Sequence, residues 1–192
     1  MTAQTKIFYL IGASGAGKDT ILNAYRQQGI SSNQKLVIAH RYITRVNTFA
    51  TGDEDFISLS NQEFTFRQEH RLFALDWQAN GCRYGVGIEI DAWLNSGLSI
   101  IINGSRSYLL EARNKYSKYL ISIEVEVSEE VLRQRLMARQ RESLEEIEAR
   151  IMRHRQLRDT VKIDESIRNL TSVSDAVDSL DKIVKKYGGK NI

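Results

Sequence analysis

Directly after the apolar stretch Ile7–Ile11, and directly before a helical pattern, the chain reads Gly12-Ala13-Ser14-Gly15-Ala16-Gly17-Lys18-Asp19-Thr20. This is G-x-x-x-x-G-K in the context that gives the pattern physical meaning, a strand before it and a helix after it. Glycines let main-chain N–H groups curl around an anion with no Cβ in the way. The helix N-terminus adds the positive end of its dipole, and the lysine reaches the outer phosphates of a nucleotide. Gly12, Ala13, Ser14, Gly15, Ala16, Gly17, Lys18, Asp19 and Thr20 are therefore the expected nucleotide-binding residues, with ATP as the expected cofactor.

The pattern downstream continues in the same style. Leu36–Ala39, Ser99–Ile102 and Tyr119–Val127 read as strands beside Ile7–Ile11. Asp19–Gln28, Ile88–Asn95, Ser105–Tyr116, Ser128–Arg139, Leu144–Arg158 and Ser174–Lys186 read as helices. Ser128 followed by two glutamates is an N-cap signal, and Gly29 is a C-cap signal. Strands alternating with helices predict an α/β fold with a parallel sheet in three layers. Residues 41–87 break the rhythm, with a turn at Thr51–Asp55, a helix over Asn61–His70 and short strands around Asn80-Gly81. An insertion of this kind in an α/β frame ordinarily shapes a substrate site. The expectation is one domain over 1–192, with a core of 1–40 and 88–192.

Composition narrows the functional classes. Cys82 is the single cysteine, so an internal disulfide is impossible and a reducing, cytoplasmic setting is expected. No apolar run approaches a membrane span, and the N-terminus lacks the long apolar region of a signal peptide. The net charge of +3 is too mild to suggest nucleic-acid binding. The absence of proline removes collagen-like and proline-linker readings. Trp77 and Trp93 are expected as core anchors, His40, His70 and His154 as non-ligands, and Cys82 as an incidental small residue.

The residue after Lys18 is Asp19, where a Ser or Thr hydroxyl ordinarily holds Mg²⁺. A carboxylate is also a hard oxygen ligand, which makes Asp19 a candidate metal residue; an acid in the first helical turn is equally explained by the helix dipole. Transfer of a phosphoryl group to a hydroxyl needs a positioned base, whereas a phosphate acceptor is already an anion whose repulsion must be relieved by cations. The chain has no H-R-D-type loop. It does have Arg41 and Arg45, and between Arg133 and Arg158 a stretch rich in arginine and free of lysine. Such a stretch reads either as a solvated face or as a phosphate-binding surface. The pattern favours a phosphorylated small molecule as acceptor.

On these residues the whole chain resembles the guanylate-kinase-like branch of P-loop kinases. Tyr42-Ile43-Thr44-Arg45 with Gly52-Asp53-Glu54-Asp55-Phe56 is similar to that branch's acceptor-phosphate segment, Arg83-Tyr84-Gly85 to its Tyr-Gly element, and Arg139-Gln140-Arg141-Glu142-Ser143 with Arg150 to its lid. The resemblance implies an acceptor-binding insertion at 41–87 and a helical lid at about 137–155. It implies Arg135 near the adenine, Arg139 and Arg150 on the transferring phosphate, and Arg45 on the acceptor phosphate. The guanine-reading acids of that branch are replaced by Gln78 and by Asn103-Gly104-Ser105-Arg106, its phosphate-binding tyrosine by Phe56 and a second arginine by Thr48. A base-reading pocket that loses its acceptors and gains a cation suits another anion better than guanine.

Narrower motifs, among them Ala74-Leu75-Asp76-Trp77-Gln78-Ala79-Asn80-Gly81, Ile102-Asn103-Gly104-Ser105-Arg106 and Gly17-Lys18-Asp19, resemble the ribose 1,5-bisphosphate phosphokinase family of phosphonate catabolism. That resemblance implies transfer from ATP to ribose 1,5-bisphosphate, yielding 5-phosphoribosyl 1-diphosphate, with Mg²⁺ as cofactor and a sugar phosphate as the small-molecule partner. Arg45 and Arg41 are then expected at the accepting phosphate and Tyr84 in the acceptor site. Arg106 is expected at the far phosphate, with Asn103 or Gln78 near the ribose. Asp53, Glu54 and Asp55 either assist Mg²⁺, hold Arg45 or serve solubility. Guanylate kinase, another nucleoside-monophosphate kinase, and a catalytically silent kinase-like binding module remain as rival readings.

Overall fold

The computed structural model describes residues 5–28, 35–45, 55–138, 143–157, 161–170 and 172–188. In chain order the elements are β1 (Ile7–Ile11), α1 (Lys18–Gln27), β2 (Leu36–Ile38), β3 (Arg41–Ile43), β4 (Phe56–Ser58), α2 (Asn61–Glu69), β5 (Phe73–Ala79), β6 (Cys82–Gly87), α3 (Glu89–Asn95) and β7 (Ser99–Asn103). A 3₁₀ turn (Arg106–Tyr108), α4 (Leu109–Tyr116), β8 (Leu120–Glu126), α5 (Glu129–Ala138), α6 (Leu144–Leu157), β9 (Glu165–Arg168) and α7 (Val173–Gly188) follow.

β1 is buried along its whole length, as a strand covered on both faces must be. Ile7, Tyr9 and Ile11 pack into a core shared with α3, α4 and the second sheet, while Phe8 and Leu10 pack into one shared with α1 and α7. α7 docks through Ala176, Val177, Leu180, Ile183 and Val184, the apolar stripe its sequence spells out. The main sheet is parallel, in the order β2-β7-β1-β8-β9. β1 lies at its centre, with the chain crossing to β2 and β7 on one side and to β8 and β9 on the other. Where such crossovers diverge, the carboxyl ends of neighbouring strands open a crevice, and the phosphate loop leaves β1 at that edge.

A second sheet, β4-β3-β6-β5, is built from residues 41–87. β3 pairs parallel with β4 and antiparallel with β6. β5 and β6 form a hairpin through Asn80 (φ 49°) and Gly81 (φ 72°), the left-handed pair a two-residue turn requires. Ile43, Trp77 and Tyr84 join the core beneath β1, and Phe64 of α2 covers the other face with Leu59 and Phe73.

α5 and α6 lie against each other through Leu132, Leu136, Ile147 and Ile151. Two exposed ion pairs, Arg133–Glu148 and Arg155–Glu129, span them. Ser128 caps α5 as expected, accepting from Val131 N at 3.2 Å. The expected cap at Gly29 lies outside the described residues. No described helix is long and apolar enough to cross a membrane.

Candidate active site

The phosphate loop is held by the elements around it. Gly17 has φ 91°, and a Cβ there would stand 2.5 Å from Asn169 Nδ2, so both conformation and space require glycine. Ala16 is fully buried and its N–H closes a turn on Ala13 O at 3.0 Å. Lys18 opens α1, and its Nζ arches over the loop to donate to Gly12 O at 2.9 Å and Ala13 O at 3.1 Å. Thr20 lies exposed on α1.

The two helices after β8 reach this loop. Arg150 of α6 donates from Nη1 to Ser14 Oγ at 2.5 Å. Arg135 of α5 donates to Ala16 O at 3.3 Å and to Asn169 O at 3.1 Å. Asn169, just past β9, donates from Nδ2 to Ala16 O at 2.8 Å, while its buried Oδ1 has no hydrogen-bond partner among the described residues. Sequence reasoning missed Asn169, because a polar residue after a four-residue strand carries no local signal. Arg139 lies outside the described residues.

On the opposite side, Asp19 is the meeting point. Its Oδ1 accepts from Arg41 Nη2 at 2.7 Å and from Asn103 Nδ2 at 2.8 Å. The Arg41 guanidinium stands 5.9 Å from the ring centre of Tyr84, which stacks on Trp77 at 5.6 Å; Trp77 stacks in turn on Tyr108 at 5.7 Å. The Arg45 guanidinium stacks 4.8 Å from the ring centre of Phe56. The structure thus brings Asp19, Arg41, Asn103 and Tyr84 together beside the phosphate loop.

Two expected acceptor residues are placed differently. Gln78 pairs across the hairpin with Arg83, whose side chain bonds to Thr65 of α2 at 2.7 Å. Strand alternation therefore puts Gln78 on the exposed α2 face, away from Trp77 and Tyr84. Arg106 is buried and bonded to Glu124 of β8, so its charge is matched within the fold. An isolated acid inside the apolar run Leu120–Val125 was the available signal for that pairing. Asp55 binds Arg26 at 3.0 Å and His40 at 3.4 Å, and neither Arg45 nor the phosphate loop is its partner. Asp53 and Glu54 lie outside the described residues. Trp77 is buried, as expected of an anchor, and burial pushes the Tyr9 hydroxyl well above its ordinary range while it accepts from Ser105 N at 3.1 Å.

Among the described residues, no group of three or more His, Cys, Asp or Glu side chains is placed to hold a metal by itself. Mg²⁺ beside a nucleotide does not need one; a carboxylate or two suffices when phosphates and water complete its shell. Among the described residues, Asp19 has one carboxylate oxygen uncommitted and the buried Oδ1 of Asn103 has no hydrogen-bond partner, and the two fit that donor set.

A glycine loop at the head of a parallel sheet, with arginines on both sides of it, defines a P-loop phosphotransferase. The fold agrees: guanylate kinase from Anaplasma phagocytophilum superposes with a TM-score of 0.73, at 17% identity, covering 99% of this chain and 90% of that one. No protein-family model matches the chain. It is 52% identical over 149 residues to ribose 1,5-bisphosphate phosphokinase PhnN of Pectobacterium atrosepticum, covering 78% of this chain and 77% of the relative. It is 40% identical over 185 residues to that of Klebsiella pneumoniae, covering 96% and 95%. The chain belongs to the ribose 1,5-bisphosphate phosphokinase family.

Proposed function

We propose that this chain transfers the γ-phosphoryl group of ATP to the 1-phosphate of ribose 1,5-bisphosphate. An acceptor phosphate oxygen forms a bond to the γ-phosphorus, the bond from that phosphorus to the bridging oxygen breaks, and ADP and 5-phosphoribosyl 1-diphosphate leave. The observation that carries this reading is the kinship, over 96% of the chain, with a ribose 1,5-bisphosphate phosphokinase. The geometry supports it: Asp19, in the first turn after the loop that suits a triphosphate, gathers Arg41 and Asn103 beside that loop, with Tyr84 next to Arg41.

Catalysis of this kind is positional and electrostatic. Lys18 is assigned to the β- and γ-phosphates. Arg150, with Arg139, is assigned to the charge on the transferring group, and Arg45 to the accepting phosphate. Arg135 and the unpartnered Oδ1 of Asn169 are assigned to the adenine, whose exocyclic amine is a donor for a buried acceptor. Asp19 is assigned to Mg²⁺, which when bound neutralises charge on the nucleotide phosphates. Residues 41–87 form the acceptor segment and about 137–155 the lid.

The test is an acceptor screen followed by ³¹P NMR. With ATP and Mg²⁺, ribose 1,5-bisphosphate is expected to develop coupled diphosphate resonances as ADP appears, and GMP is expected to stay unphosphorylated. Phosphorylation of GMP, with ribose 1,5-bisphosphate untouched, overturns the reading.

A further inference from the structure

Two side chains from different elements converge on one atom of Asp19. Arg41 comes from β3 and Asn103 from the last position of β7, and both donate to Oδ1. Arg41 is 8% exposed and Asn103 is 3% exposed, whereas the Asp19 side chain is 32% exposed. The other carboxylate oxygen accepts no hydrogen bond among the described residues. Two buried donors on one oxygen fix the rotation of the carboxylate and decide which oxygen faces outward. The arginine also keeps a negative group supplied with a counter-charge in a half-enclosed place.

The choice of an amide at 103 has a physical reason. A carboxylate in its place would stand against Asp19 at hydrogen-bond distance and repel it. The amide instead offers a donor to Asp19 and keeps Oδ1, buried and without a partner among the described residues, as an acceptor beside it. A water on a bound cation is the kind of donor that such an atom takes.

We propose that Arg41 and Asn103 are positioning residues for Asp19, holding its Oδ2 toward the divalent cation of the nucleotide, and are not primarily ligands of the acceptor sugar phosphate. The proposal rests on the assignment of Asp19 to Mg²⁺ made above. It gives the cation site one carboxylate and two supports, one from each sheet. The alternative is that these two residues serve the acceptor, and the two roles differ in what they do when no acceptor is present.

The measurement is Mn²⁺ affinity in the presence of ADP and the absence of any acceptor, read by electron paramagnetic resonance on the full chain. Asp19→Asn is expected to weaken Mn²⁺ binding about tenfold or more, and Arg41→Met and Asn103→Ala to weaken it several-fold. Arg41→Lys is expected to recover part of the loss, and thermal melts show which variants are folded. In turnover assays, the Mg²⁺ concentration for half-maximal rate rises in Arg41→Lys and Asn103→Ala, while the acceptor KM changes less than twofold. The proposal is overturned if Asp19→Asn loses Mn²⁺ but the Arg41 and Asn103 variants keep it and raise the acceptor KM. The assignment of Asp19 to the metal then stands. If Asp19→Asn itself binds Mn²⁺ normally, that assignment falls, and the positioning role falls with it.

Discussion

Arg106 and Glu124 approach each other from the 3₁₀ turn and from β8, and both are almost fully enclosed. Taking either charge out of water is costly, and the pairing offsets that cost. Removing one partner strands the other, so Arg106→Ala is expected to destabilise the fold by about 3–5 kcal/mol. A chain of this size loses roughly 2–4 °C of melting temperature per kcal/mol, which makes the effect plain in a thermal melt. The double variant Arg106→Met/Glu124→Leu should recover most of it. A normal melt with a raised acceptor KM would instead return Arg106 to the acceptor site. Gly104 belongs to the same scale, because a Cβ there would overlap the ring of Tyr9. Gly104→Ala must displace a fully buried ring, at a cost of about 1–3 kcal/mol for overpacking, to be read in denaturant melts. The phosphate loop was legible in the sequence because its chemistry is local. Neither the pairing of Asp19 with Asn103, 84 residues apart, nor that of Arg106 with Glu124 was, because each depends on which strand ends lie side by side.

At the scale of elements, legibility followed burial. β1, β7 and β8 were readable because strands covered on both faces are continuous apolar runs. The Asn80-Gly81 hairpin was readable because its turn demands those residues. β9 was missed: in Glu-Ser-Ile-Arg only Ile167 is buried, and its place at the sheet edge needs little apolar surface. What fastens β9 is partly polar. Asp164, just before it, accepts from Ser122 N at 2.8 Å, Ser122 Oγ at 2.7 Å and Arg113 Nη2 at 2.7 Å. Burial works against its charge, but the bonds from Ser122 and the Arg113 guanidinium outweigh it and hold the carboxyl below its ordinary range. A carboxyl whose pKa is lower in the folded chain than in the unfolded one stabilises the fold above the unfolded value, near 4. That stability is lost as the pH falls through the folded value. Melts of Asp164→Asn against the parent chain should therefore show a full difference from about pH 5 upward that closes below about pH 4. A difference independent of pH over that range would refute the linkage.

Over the whole molecule, the central strand leads into the phosphate loop, and the helical pair α5–α6 packs against that loop. The pair shares its own small core and two ion pairs, and it touches the phosphate loop through Arg135 and Arg150. The order of the five strands, which brings these parts to one edge, could not be read from the sequence; it depends on long-range pairings that no local pattern encodes. If Arg150 acts on the transferring group as proposed, it should matter more to the reaction than to nucleotide binding. Arg150→Met is expected to lower kcat by about 10²–10³, the usual cost of losing one preorganised donor to a developing charge. Nucleotide binding should survive, and a melt can show it. ATP with Mg²⁺ at 100 times its Kd stabilises a folded protein by about 2.7 kcal/mol, or roughly 5–11 °C for a chain of this length. The parent chain and Arg150→Met should both show that rise, with kcat separating them. If the variant loses the rise along with its activity, Arg150 serves to bind the nucleotide; if it keeps both, the contact with Ser14 is structural and Arg150 does not act on the reaction.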